Sequence, residues 1–189
     1  MHTPTPEASP WVSRFAASVP AGEVLDLACG SGRHARLFAA LGHPVVAVDR
    51  DPQALALAAG PGITTLAIDL EEEGARWPFE AGRFKGIVVT NYLHRPLLAD
   101  LVKSLAPDGV LMYETFALGN EAFGKPSNPA FLLHPGELLE LAMQGGLTVL
   151  AYEDGVLTQP TPARVQRLCA ARPGLVQTEV KLDHLVGRE

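Results

Sequence analysis

A chain of 189 residues, 47% apolar and 19% charged, is long enough to bury one hydrophobic core and too apolar for global disorder. Its net charge of −6, with an acidic run at Glu71-Glu72-Glu73, disfavours nucleic acid as a partner, because a non-specific binder needs a basic face. The two cysteines, Cys29 and Cys169, have no metal-ligand spacing, and no apolar run reaches the roughly 18–20 residues of a membrane span, so the expectation is a cytoplasmic protein with reduced thiols, no metal and no membrane.

In chain order, Met1 to Glu7 lacks the basic-then-apolar order of a signal peptide and reads as an arm. Trp11 to Ser18 has helical spacing, so residues 1–20 are an expected N-terminal arm and helix. Glu23 to Ala28 reads as a strand, followed by a glycine turn and a helix from Ser31 to Leu41. Pro44 to Asp49 is a second strand. Asp51 caps a third helix with Pro52 at its first position. Ile63 to Ile68 and Phe84 to Thr90 are strands, and Pro96 to Ser104 is a helix. Pro107-Asp108-Gly109 reads as a turn before a strand over Val110 to Phe116. Residues 117–134 form a loop too long for a plain connection, and its glycines with Phe123 and Phe131 suggest a lid. A helix over Pro135 to Met143 and strands over Thr148 to Asp154 and Arg164 to Ala171 complete the chain. Strands alternating with helices predict an α/β fold: a three-layer, Rossmann-like, seven-stranded, mostly parallel sheet. With no helix between the last two strands, they should close it as an antiparallel hairpin. No domain boundary is visible, so residues 1–189 read as a single domain.

Gly30-Ser31-Gly32-Arg33-His34-Ala35 matches G-x-G-x-x-G/A between a strand and a helix. Such a turn lets the backbone approach a ligand beside free helix N–H donors. Asp49, seventeen residues past Gly32 at the next strand end, is placed to accept both hydroxyls of an adenosine ribose. There is no Gly-Lys-Ser/Thr for a triphosphate. Asp26, at the mouth of the turn, would repel a pyrophosphate and suit a cationic sulfonium ligand. Arg33 and His34 read as a solvent-facing pair, and Cys29 as a packing residue of the turn.

Val24-Leu25-Asp26-Leu27-Ala28-Cys29-Gly30-Ser31-Gly32 resembles the first motif of class I S-adenosylmethionine-dependent methyltransferases, with Ala28 in place of the usual first glycine. The resemblance extends over roughly residues 20–172, and small bacterial, tellurite-resistance-like enzymes are the nearest type. It implies S-adenosyl-L-methionine as cofactor. Ala28, Cys29, Gly30, Ser31 and Gly32 would line its methionine and ribose, and Asp49 would hold the ribose, with Arg50 beside the adenine. Asp69 and the Leu70 N–H would contact the adenine, Asn91 the methionine, and Asp26 would orient the turn.

The acceptor side is less specified. His94 is a candidate base, Tyr92 a candidate pocket wall, Arg95 a candidate anion contact, and Glu114 a second base or substrate contact. Without a separate substrate domain, a small-molecule acceptor is expected, and monomer and homodimer both stand open. The rival readings are an NAD(P)-dependent oxidoreductase and a non-catalytic S-adenosylmethionine-binding partner protein. The first lacks a second catalytic domain or a Tyr-x-x-x-Lys pair.

Overall fold

The computed structural model describes residues 7–175; the first part of the expected arm, residues 1–6, lies outside them. The elements are α1 (Pro10–Phe15, continued by a 3-10 turn), β1 (Val24–Leu27), α2 (Arg33–Ala40), β2 (Val45–Asp49), α3 (Pro52–Ala58), β3 (Ile63–Ala67), β4 (Phe84–Thr90), α4 (Leu98–Lys103), β5 (Leu105–Phe116), α5 (Glu137–Gln144), β6 (Thr148–Leu157) and β7 (Ala163–Ala171). Local chemistry sets several of the starts. Ser9 accepts the Trp11 N–H ahead of Pro10, and Asp51 accepts the Gln53 N–H ahead of Pro52, so each helix begins on a capping side chain followed by a proline preset for the first turn.

The seven strands form one sheet in the order β3-β2-β1-β4-β5-β7-β6. β1 to β5 run parallel, whereas β7 pairs antiparallel with both β5 and β6. The α/β fold and its closing hairpin are therefore as expected. Strand alternation divides the core between two faces. Leu25, Leu27, Val46, Val48, Ile87, Val89, Leu111 and Leu168 pack with Leu101 of α4 and Leu138 of α5. Val24, Val45, Ala47, Val88, Val110, Met112 and Cys169 pack with Trp11 and Phe15 of α1, Phe38 of α2 and Leu55 of α3. Between β3 and β4 there is no helix. Trp77 and Phe79 cover that part of the first face, with the Trp77 indole donating to Ser104 Oγ at 2.7 Å. No helix among the described residues is long and apolar enough to cross a membrane.

One element corrects the sequence reading. Pro107-Asp108-Gly109 is not a turn ahead of the strand but part of β5, which begins at Leu105. Phe84 pairs with Leu105 and Gly86 with Val110, so β5 carries the extra residues as an irregularity against β4. Turn-forming composition and a bulged strand give the same sequence signal, and only the pairing partner separates them. Lys85 pairs with Asp108 across the irregularity.

Gly109 is where this close approach demands the absence of a side chain, since a Cβ would lie 2.8 Å from the Phe84 carbonyl oxygen and 3.1 Å from backbone atoms of Ala106. Gly109→Ala should destabilise the protein by about 1–3 kcal/mol in chemical denaturation. Gly155→Ala, where a Cβ meets nothing within 4 Å, should stay within about 0.5 kcal/mol.

Candidate functional site

The parallel strands end together at one edge, and the β1–α2 turn is built there. Ala28 (φ 53°), Gly30 (φ 53°) and Gly32 (φ 78°) all take the left-handed conformation. At Gly32 a Cβ would sit 2.5 Å from Ala58 Cβ and 2.8 Å from Ala58 Cα, so the start of α2 rests directly on the end of α3. At Ala28 the chain bears the strain of an L side chain in this region. The Gly30 N–H donates to Asp49 Oδ2 at 2.8 Å, and the Asp51 N–H donates to Asp49 Oδ1 at 3.0 Å. Cys29 is buried, and its thiol is pushed up to about 12 by burial and by the nearby Asp26 and Asp49 charges, so it packs and does not attack.

Asp26 does not stand at the mouth of the turn. Alternation along β1 places it with Val24 on the face covered by α2, where it is 1% exposed and accepts the Ala35 N–H at 2.8 Å. It thus satisfies an orphan donor of the first helical turn. Burial pushes its carboxyl up to about 7, although the Ala35 hydrogen bond pulls the other way. His34 also departs from the expected solvent-facing pair, because the same helix face turns inward. It is 1% exposed, and its Nε2 accepts the Ser9 N–H at 3.1 Å. That bond puts the ring proton on Nδ1, which lies 4.0 Å from Asp26 Oδ1. Burial, reinforced by Arg33, lowers the His34 pKa to about 3.

A cleft of about 270 Å³ opens beside the turn. Leu27, Val48, Ile68 and Leu70 supply its apolar surface, and Ala28, Asp49, Arg50, Asp69, Asn91 and Tyr92 also line it. Of the other residues expected at the cofactor, Asp26, Cys29, Gly30, Ser31 and Gly32 do not line this cleft, and Gly30 is tied to it through its bond to Asp49. Asp69 accepts the Glu71 N–H at 2.9 Å and lies 3.8 Å from the Arg50 guanidinium. The Tyr92 hydroxyl is held above its ordinary pKa by burial and by Glu71.

A second cavity, of about 820 Å³, meets the first at Asn91, which lines both. Asn91 has φ 55° and donates its N–H to the Glu114 carbonyl at 2.9 Å. Glu114 is 8% exposed and lines this larger cavity. Ser9 Oγ lies 3.2 and 3.1 Å from its two oxygens as donor, and Arg167 Nε lies 2.9 Å from Oε2. The Arg167 Nε–H is not aimed at that oxygen, so this contact is an ion pair, not a directed hydrogen bond. Arg167 reaches Glu153 at 3.2 Å and rests over the Trp11 ring at 5.8 Å. Ser9 and Arg167 escaped the sequence reading because both depend on distant pairing. Arg167 faces Glu114 only through the β5–β7 register, and Ser9 arrives from 105 positions away.

The three catalytic candidates are not brought together. Glu114 lines the larger cavity and Tyr92 the smaller cleft, whereas His94 lies in a third cleft with Glu72, Arg76 and Trp77 that borders the smaller one at Leu70 and Glu71. Arg95 is committed elsewhere, bonding Glu137 at 2.7 and 2.8 Å and the carbonyls of Ala130 and Leu132. Burial raises the Glu137 carboxyl, but the Arg95 and His134 hydrogen bonds outweigh it and hold the pKa below its ordinary value. The 117–134 loop is pinned at its base. Leu118 and Leu133 N–H groups donate to the Leu133 and Phe116 carbonyls, Leu132 and Leu133 are buried, and Asn120 accepts the Arg164 N–H while donating to the Pro126 carbonyl. Phe123, Gly124 and Lys125, at its exposed tip, line the larger cavity.

Residues 24–109 match the family model described as a methyltransferase domain. No curated protein matches the chain by sequence. Among solved structures, an S-adenosylmethionine-dependent methyltransferase from Mesorhizobium loti is 18% identical, with 87% of this chain and 98% of that one covered at a TM-score of 0.68. One from Methanosarcina mazei is 15% identical over 88% and 98% at 0.64. A TehB-like methyltransferase from Corynebacterium glutamicum is 22% identical over 85% and 86% at 0.61. The chain shares their fold.

The buried His34 makes a signed prediction. Its folded pKa lies below the unfolded value near 6.5, so the stability that its neutral form contributes is present above pH 6.5 and lost as pH falls toward 3. Asp26 runs the other way, its contribution being present below about pH 4 and lost as pH rises through 7. His34→Gln keeps an acceptor for Ser9 without titrating. Its stability relative to the unsubstituted protein should therefore rise as pH drops from 6 to 4, by up to ~1.4 kcal/mol per pH unit in urea unfolding. At the strained position, Ala28→Gly should stabilise by roughly 0.5–1 kcal/mol in the same assay.

Proposed function

We propose that this chain, whose residues 24–109 match a methyltransferase domain, transfers the methyl group of S-adenosylmethionine to a small-molecule acceptor bound in the larger cavity. The observation that carries the reading is Asn91, which lines both the cleft beside the glycine turn and the larger cavity. A donor in one and an acceptor in the other would meet at the end of β4.

The cleft residues suit the cofactor. Each Asp49 oxygen accepts one backbone N–H and keeps a lone pair for a ribose hydroxyl. Asp69 and the Leu70 N–H would take the adenine edge, with Val48 and Ile68 against its faces. Gly30 offers no free N–H to a pyrophosphate, because Asp49 already holds it. This favours S-adenosylmethionine over NAD(P).

When bound, the cofactor supplies an activated methyl group, so the protein's task is approach geometry and exclusion of water. Asn91 would fix the threshold between the two ligands. Glu114, held by Ser9 and Arg167, would accept a hydrogen bond from the acceptor's nucleophilic group, or its proton where one must leave. Phe123 and Lys125 at the tip of the 117–134 loop would close the open side as a lid.

Isothermal titration with S-adenosylhomocysteine and NAD tests the reading: binding of the first and not of the second is expected, and the reverse overturns it. Asp49→Ala should weaken S-adenosylhomocysteine at least tenfold, in line with about 1.5–3 kcal/mol for a hydrogen bond to a charged group. Circular dichroism of the unliganded variant separates a lost contact from a lost turn.

A further inference from the structure

Resting on that proposed reading, we propose that the acceptor is an organic anion: a carboxylate or similar oxyanion on an apolar skeleton, its charged group met by Arg33 and Lys125 within the larger cavity.

The chain as a whole carries −6, yet the charges on this cavity run the other way. Three cations line it (Arg33, Lys125 and Arg167) against two carboxylates, Glu7 and Glu114. The deepest pair is already spent, because Arg167 lies 2.9 Å from Glu114, whose oxygens also take the Ser9 hydroxyl. Arg33 and Lys125 have no carboxylate within ion-pair distance among the described residues. They come from separate parts of the chain, Arg33 from the first turn of α2 and Lys125 from the exposed tip of the 117–134 loop. What brings both to one cavity is the fold. Their shared field favours a negative ligand, and low-dielectric walls concentrate that field.

Much of the wall is apolar. Phe116, Phe123, Val165 and Leu157 line the cavity, and Pro160 and Pro162 stiffen the β6–β7 end. Its volume of about 820 Å³ lies in the range of drug-sized ligand pockets. An inorganic oxyanion would leave most of that surface wet, whereas an aryl or alkyl acid would bury its skeleton and present its charge to the two cations. An amine would face the same two cations and find Glu114 already paired, leaving only the exposed Glu7 as counter-charge.

The test uses three probes on one skeleton, phenylacetate, phenylacetamide and phenethylamine, titrated into the whole protein with saturating S-adenosylhomocysteine. Phenylacetate should bind at least tenfold more tightly than the amide, and the amine most weakly. Arg33→Gln with Lys125→Gln should remove that preference while the S-adenosylhomocysteine affinity stays the same. A tighter amine, no measurable phenylacetate binding, or an unchanged preference in the double variant each overturns the proposal. A loss of S-adenosylhomocysteine affinity in Arg33→Gln alone would also overturn it, by assigning that cation to the cofactor's own carboxylate. Failure of the methyltransferase reading looks different: phenylacetate would still bind in the cavity, without any S-adenosylhomocysteine binding to the unsubstituted protein.

Discussion

The bond from the Gly30 N–H to Asp49 holds the functional edge of this protein together. β1 must leave the sheet, turn within a few residues and enter α2, and the turn does so through three left-handed positions. Such a bend exposes backbone donors that must be satisfied. Two carboxylates do this from opposite sides, with Asp49 beside the turn at Gly30 and Asp26 beneath it at Ala35. One is half-buried and borders the cleft. The other is sealed under α2, where its proton affinity rises because water cannot reach it. A single turn thereby separates an acid with acceptor capacity left for a ligand from an acid that only supports the backbone.

From the sealed side, a buried polar chain runs away from the turn. Asp26 faces His34, His34 accepts from Ser9, Ser9 donates to Glu114, and Glu114 pairs with Arg167. The N-terminal segment is thus stitched to both α2 and β5. α1 anchors it further through Trp11 and Phe15, whose rings pack edge to face with Arg14 over them. Removing one partner from such a chain leaves a buried group unsatisfied, which costs more than the bond itself contributes.

The sequence carried the repeated unit well and the joints poorly. Strand–turn–helix periodicity made β1 through β4 and the cleft residues Asp49, Asp69 and Asn91 legible, because a local pattern places each at a strand end. What it could not carry were contacts set by register between distant strands. Arg167 opposite Glu114 is one case, and the irregular pairing at Pro107-Asp108-Gly109 is another. His34 was misread for a related reason. Two polar residues in a first helical turn look exposed until the segment that covers one of them is in place. Arg95 likewise looked free for a ligand, and the Glu137 that occupies it lies 42 positions away.

Asn91 stands in the wall between two chambers, on a backbone conformation that few side chains adopt willingly. A shared wall cannot serve one occupant in isolation. Whatever free energy passes across it is the same in both directions, so an occupant that tightens its neighbour's grip is itself held more firmly by an equal factor. The order in which they arrive is a separate, kinetic matter, set by the abundance of each occupant and by how fast it enters its own chamber.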